Sequence, residues 1–285
     1  LHSLRRRQRQ MCIRDRWVRI KGAHQHLQTS GALSKTRGNY STTQIGADLI
    51  RKDLNEDWRV VGGVFFGNLY GKTKTKAALD ARSRVEGYGG GAYVTLFSSN
   101  TPDNGFYADI WVSYNRFKNK IYGDEPDFSY HSRGFTYSGE LGYTIHAATT
   151  GSNEKDRVEW FIQPQFQAIA QTVKAFNKKD YFGNEFKQNG KNNVQLRLGA
   201  RIFGRQTARG NVFVEGNWIH NTKDIGVEAA GRRVLLDGVK NSGEARIGWE
   251  GNISKNILGS ITGTVRAGHR GYNEESANIS IRYMF

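Results

Sequence analysis

His24 and His26 stand two residues apart. On a strand that spacing puts two imidazoles on one face, which is how a metal pair begins. His220 lies beside Asn221 and near Asp224, and a histidine with an acid close to a loop is the raw material of a hydrolase. His131, His146 and His269 complete the histidines outside the opening segment. Each group also has a plainer reading. His24 and His26 fit a polar lumen or rim position, and His220, in a Trp-x-His-Asn stretch, fits a girdle residue. GYGGGA (87–92) loosely resembles a dinucleotide-binding fingerprint. That fingerprint needs a strand, a turn and a helix, and these glycines fall inside a strand pattern, where they relieve crowding against a lumenal helix or allow curvature. The plainer readings are favoured, so no catalytic, cofactor-binding or metal-binding residue is assigned. The single cysteine, Cys12, excludes an internal disulfide framework and a cysteine-based zinc site.

The elements that must position these residues repeat one grammar. In GFYADIWVSYNRF, Phe106, Ala108, Ile110, Val112 and Tyr114 alternate with Tyr107, Asp109, Trp111, Ser113 and Asn115. In RVEWFIQPQFQ the second face is glutamine-rich: Gln163, Gln165 and Gln167. A period of two marks strands with one apolar and one polar face. About twelve are expected, over 17–28, 39–52, 57–70, 84–99, 104–118, 131–147, 157–175, 192–207, 210–222, 239–254, 257–270 and 274–285. With 34 glycines, 3 prolines and 12% aromatics among 285 residues, the composition favours strands. Mean hydropathy is −0.65 and no run of about 18 apolar residues exists; this excludes a transmembrane helix but not a transmembrane barrel, which needs only every second residue to be apolar. The expected strands run well past the ~5–6 residues usual in soluble proteins. Aromatic residues gather near their ends, as in the girdles of a membrane barrel. An even strand number brings both termini to the same side.

Connections alternate in size. RKDLNED, SSNTPDN, RQTARGN and ISKNI are short, whereas GKTKTKAALDARSR, KNKIYGDEPDFSYHS, NKKDYFGNEFKQNGKNN and TKDIGVEAAGRRVLLDG are long. Short turns belong to the periplasm and long loops to the cell surface, so both termini are expected to be periplasmic. The net charge is +16. Residues 1–16, with six arginines against one aspartate, lack a strand period and are set apart from the domain at 17–285 as a foreign or linker remnant. Lysines in the long loops could meet lipopolysaccharide phosphates or remain solvated. Aromatics that follow the strand period argue against nucleic-acid binding. The phase of the strands turns Asp48, Asp109, Glu140, Arg197, Arg201, Glu215, Glu244, Arg246, Glu250 and Arg282 inward, since an Arg or Lys facing hydrocarbon costs roughly 2–4 kcal/mol at midplane.

WVRIKG, GNYSTTQIGADLI, VEGNWIHNTKDIGV, VKNSGEARIGWEGNISKNI and GHRGYNEESANISIRYMF, in that order and spacing, resemble the C-terminal translocator domain of type V autotransporters of the pertactin and AIDA-like kind. The resemblance spans 17–285, and the chain departs from it in its unusually basic loops. It implies a barrel in the bacterial outer membrane that exports an N-terminal passenger, with a helix filling the lumen. It further implies that the last strand, through Ile279, Ile281, Tyr283 and Phe285, is the signal read by the barrel-assembly machinery and closes against the first. The alternative is a stand-alone pore or surface-binding barrel. Outer-membrane lipids are the expected surroundings in either case.

Overall fold

The computed structural model describes residues 15–29, 34–76, 81–98, 105–123, 127–153, 156–176, 186–190, 192–206, 210–229 and 232–284. Phe285, one of the four proposed signal residues, lies outside them. The strands are β1 Arg16–Gln28, β2 Lys35–Asp53, β3 Trp58–Lys76, β4 Ala81–Ser98, β5 Gly105–Gly123, β6 Phe128–Thr150, β7 Val158–Gln171, β8 Lys174–Phe176, β9 Phe186–Asn189, β10 Asn193–Gln206, β11 Gly210–Asn221, β12 Gly226–Ala229, β13 Arg232–Leu235, β14 Asn241–Ser254, β15 Ile257–Gly268 and β16 Asn273–Tyr283. Twelve of them form one closed antiparallel barrel in the order β5-β4-β3-β2-β1-β16-β15-β14-β11-β10-β7-β6, with β6 returning to β5. Short β8 adds to β6, and β9, β12 and β13 form a separate small sheet. Among the described residues no helix is long and apolar enough to cross a membrane.

The seam between the first and last strands is fully paired, from Arg16 opposite Tyr283 to His26 opposite Asn273. An open edge in hydrocarbon would leave backbone groups unsatisfied at several kcal/mol each, so closure is obligatory. Polarity is inverted relative to a soluble fold. Ile110 is 65% and Ile247 61% exposed, whereas Glu250 is 1% and Asp48 2% exposed. Apolar residues that clothe the outside while carboxylates and guanidinium groups fill the inside need hydrocarbon as the outer solvent.

Three features depart from the sequence reading. First, β2 to β6 run further than expected, so much of GKTKTKAALDARSR and KNKIYGDEPDFSYHS is strand: β3 continues to Lys76, β4 starts at Ala81 and β5 continues to Gly123. The reason is that both faces are polar there. Thr73 and Thr75 meet Ser83 and Thr36 on the inner face, while the lysines between them point out, so the period of two persists without an apolar signal. Second, the expected strand over 157–175 is two elements, β7 and β8, because the chain leaves β10 at Gln171 and resumes beside β6 at Lys174. Third, the glycines of GYGGGA sit within β4 and make room for neighbouring strands, a crowding that the sequence reading did not name. A Cβ on Gly91 would lie 2.1 Å from the Val112 carbonyl oxygen, and one on Gly87 2.4 Å from the Phe117 ring.

Candidate functional site: the barrel interior

The inward phase of the strands builds a polar cavity of about 750 Å³ whose lining includes Asp109, Glu140, Arg197, Arg201, Glu215, Glu244, Arg246 and Glu250. Two connected networks hold these side chains. The first runs along the wall of β5, β6, β7, β10, β11 and β14. The Tyr107 hydroxyl donates to Glu140 at 2.8 Å, and Arg197 Nη2 donates to the other Glu140 oxygen at 3.1 Å. Gln165 links Tyr107 to Asn217, at 3.4 and 3.3 Å. Asn217 Nδ2 then donates to Glu215 at 2.8 Å and to Glu244 at 3.0 Å. Arg246 sits between the same two acids, 3.2 Å from Glu215 and 2.8 Å from Glu244. Further along, Arg201 Nη2 donates to Glu250 at 2.9 Å while its guanidinium lies 3.7 Å from the Phe213 ring centroid. Asp109 accepts from Thr95. These acids and arginines compensate one another, as charges removed from bulk water must.

The second network lies at the seam and contains the last two residues read as inward, Asp48 and Arg282. Arg282 Nη1 reaches Asp48 at 3.2 Å and Asp15 at 3.4 Å. Arg51 Nη2 donates to Asp15 at 3.1 Å and lies 3.7 Å from Asp48. The Tyr93 hydroxyl donates to Asp48, and Trp17 Nε1 donates to Tyr93 at 3.2 Å. One buried cluster therefore ties β1, β2, β4 and β16 together. Asp15, Arg51, Tyr93 and Trp17 were not singled out from the sequence. Asp48 and Arg51 are three apart, which in a regular strand puts them on opposite faces. A bulge between Asp48 and Ile50 restores their phase and leaves Leu49 and Ile50 both turned outward and exposed. Asp15 lies upstream of the boundary drawn at residue 17, yet is fully buried in this cluster.

The histidines are elsewhere. His24 and His26 share the outer phase of β1 with Val18 and Ile20, their Nε2 atoms 2.9 Å apart, and His24 Nδ1 lies 2.6 Å from Asn39 Oδ1. Among the described residues no group of three or more His, Cys, Asp or Glu could hold a metal ion. His220 stacks on Trp218 with ring centroids 5.6 Å apart and lies 2.7 Å from Asn241.

A closed barrel with a charged interior and an apolar exterior defines an outer-membrane protein. A family model described as the autotransporter beta-domain matches residues 16–264, and the chain belongs to that family. It is 33% identical over 283 residues to an uncharacterized Escherichia coli K12 protein, YuaQ, covering 94% of this chain and 20% of that one. It is 30% identical to the Escherichia coli autotransporter adhesin AIDA-I, covering 94% of this chain and 22% of that one. The crystal structure of the AIDA-I transport unit aligns with a TM-score of 0.91 at 27% identity, over 100% of this chain and 97% of that one. The Bordetella BrkA beta domain, at 19% identity and a TM-score of 0.67, shares the fold. The chain thus spans about a fifth of the length of YuaQ and AIDA-I. It is an outer-membrane translocator barrel.

The phase of the interior can be checked by labelling. In a Cys12→Ser background, Glu215→Cys, Glu244→Cys and Arg246→Cys are expected to react with a small water-soluble maleimide in membranes, whereas Ile247→Cys and Trp249→Cys stay protected. The reverse pattern would move the register by one residue and exchange the two faces.

Proposed function

We propose that this barrel exports a passenger segment placed N-terminal to it, with both termini on the periplasmic side and the passenger threaded through the charged interior. The observation that carries the reading is the alignment of the whole chain with the AIDA-I transport unit at a TM-score of 0.91, together with a polar cavity enclosed by the barrel wall. The charged side chains that line the cavity form the wall a passenger or lumenal helix would meet. Their charges present hydrogen-bonding groups without a net field of one sign, which suits passage of an extended chain. This role needs no catalytic chemistry, and no catalytic residue is assigned to the barrel. The domain comprises 17–285 with Asp15 and Arg16 joined to it, and the residues before them are a linker or foreign segment.

Its partners are the passenger, a lumenal helix, outer-membrane lipids including lipopolysaccharide, and the barrel-assembly machinery. That machinery reads Ile279, Ile281 and Tyr283, which face outward on the closing strand, together with Phe285. The runner-up reading is a stand-alone pore or surface-binding barrel, and conductance does not separate the two, because an unplugged lumen leaks in either case. Surface display separates them. A short tagged peptide, fused ahead of Asp15 behind a signal sequence and a helical linker, is expected to become accessible to protease in intact cells. A folded and inserted barrel whose tag stays periplasmic over several linker lengths would favour the pore.

A further inference from the structure

Toward the end of the barrel opposite the termini, the outward faces of the described strands carry basic side chains on β2 to β6. On β3, outward Phe66 is followed by Tyr70, then by Lys72 and Lys74, and the two lysines are exposed. Register extends this level across the neighbouring strands. Arg37, Lys74 and Arg82 stand directly opposite one another on β2, β3 and β4. One pair further from the edge, Lys72, Arg84 and Lys120 do the same on β3, β4 and β5. Below these rows Arg116 faces Arg133 across β5 and β6. Aromatic rings mark the boundary with the apolar belt: Lys72 and Arg84 lie 5.5 and 5.1 Å from the centroid of Tyr70, and Arg116 5.6 Å from that of Tyr114. Among the described residues, the same outward level of β7, β10, β11, β14 and β15 holds no charged side chain, and β16 contributes one acid, Glu275.

Like charges directly opposite on adjacent strands destabilise a sheet. Within the rows a single acid intervenes, Glu86, paired with Arg84 at 2.6 Å. Cations placed just beyond an aromatic girdle sit at headgroup level, where anionic lipid headgroups are at hand as counterions. The rows cover three to four strands spaced ~4.8 Å apart, with successive outward residues on one strand about 6.6 Å apart. That area is broad for one phosphodiester and suits a headgroup with two separated phosphates.

We propose that the outward face of β2 to β6 is a binding surface for the bisphosphorylated glycolipid of the outer leaflet, lipopolysaccharide, with its lipid A phosphates held between the rows through Arg37, Lys74 and Arg82 on one side and Lys72, Arg84 and Lys120 on the other. Its acyl chains lie on the apolar belt below, around Phe66 and Phe135. The inference rests on the outer-membrane placement and on the proposed orientation, and is independent of whether a passenger is exported.

The test uses the full chain refolded in detergent, which has no sidedness, so that a wrong orientation or failed export cannot mimic its failure. Binding of bisphosphorylated lipid A, monophosphorylated lipid A and phosphatidylglycerol is measured by native mass spectrometry, with folding checked by heat-modifiable mobility. Wild type and the charge-matched control Lys223→Gln/Lys240→Gln/Lys255→Gln, at three exposed lysines away from this face, are expected to retain bisphosphorylated lipid A. Either Arg37→Gln/Lys74→Gln/Arg82→Gln or Lys72→Gln/Arg84→Gln/Lys120→Gln is expected to lose roughly tenfold or more in affinity. Both variants remove like-charge opposition on an exposed face, so both are expected to fold. Wild-type binding should also weaken as salt rises, as exposed charge pairing does. Equal binding by the variants and the control, equal retention of phosphatidylglycerol, or salt-insensitive binding would overturn the proposal.

Discussion

Arg282→Leu is expected to destabilise the closed barrel by ~3–5 kcal/mol, the usual cost of removing one partner from a buried ion pair. Arg282 is 3% exposed, and its guanidinium is shared between Asp48 and Asp15. Without it, among the described residues, the two buried carboxylates keep Arg51 as their shared cation, 3.1 Å from Asp15 and 3.7 Å from Asp48, and Tyr93 as a neutral donor to Asp48. The residue sits on the closing strand, directly opposite Trp17 of the first. The loss therefore acts where the barrel shuts, and both the unfolding midpoint in denaturant and the yield of heat-modifiable protein in outer membranes should fall. Arg282→Lys should recover part of the loss, because one ammonium keeps the charge but cannot reproduce the fork that reaches both acids. A midpoint unchanged in Arg282→Leu would mean that the seam is held by its backbone ladder alone.

The seam cluster also shows where sequence reasoning stops. The strands of the barrel are legible because hydrocarbon outside and charge inside impose the same period of two on stretches such as GFYADIWVSYNRF and NVQLRLGARIF. The closing of β16 on β1 follows once an open edge is excluded. What is not legible depends on departures from that period. Arg51 enters the interior only because of the bulge after Asp48, and nothing in DLIRKD distinguishes a bulge from a regular strand end. The far ends of β3 and β4 alternate Thr or Ser with Lys or Arg, which reads as polar loop when apolarity is the only signal, although the register is continuous. Strands β9, β12 and β13 lie inside connections whose composition is that of loops. Asp15 was invisible for another reason: a basic segment with no period gives no cue that its last residues have joined the barrel.

The second large effect lies in the wall. Arg201→Met is expected to cost ~3–5 kcal/mol, since Glu250 is fully buried and would keep its charge without its guanidinium partner. Glu250→Met is expected to cost a similar amount by stranding Arg201. The double variant Arg201→Met/Glu250→Met should be far closer to wild type than the sum of the two, because removing both charges also removes the desolvation that the pair had to offset. Phe213, against which Arg201 packs, offers the new methionine side chains an apolar partner. Urea unfolding of the four proteins refolded in vesicles closes the cycle, and additive losses would show that the pair is not coupled. The double variant then separates stability from transport. If it folds as wild type does yet displays less of the fused tag at the surface, the interior charges serve the passenger as well as the barrel. If display is unchanged, this pair is retained for the wall alone, and the hydrophilic path for the passenger rests on Glu140, Arg197, Glu215, Glu244 and Arg246.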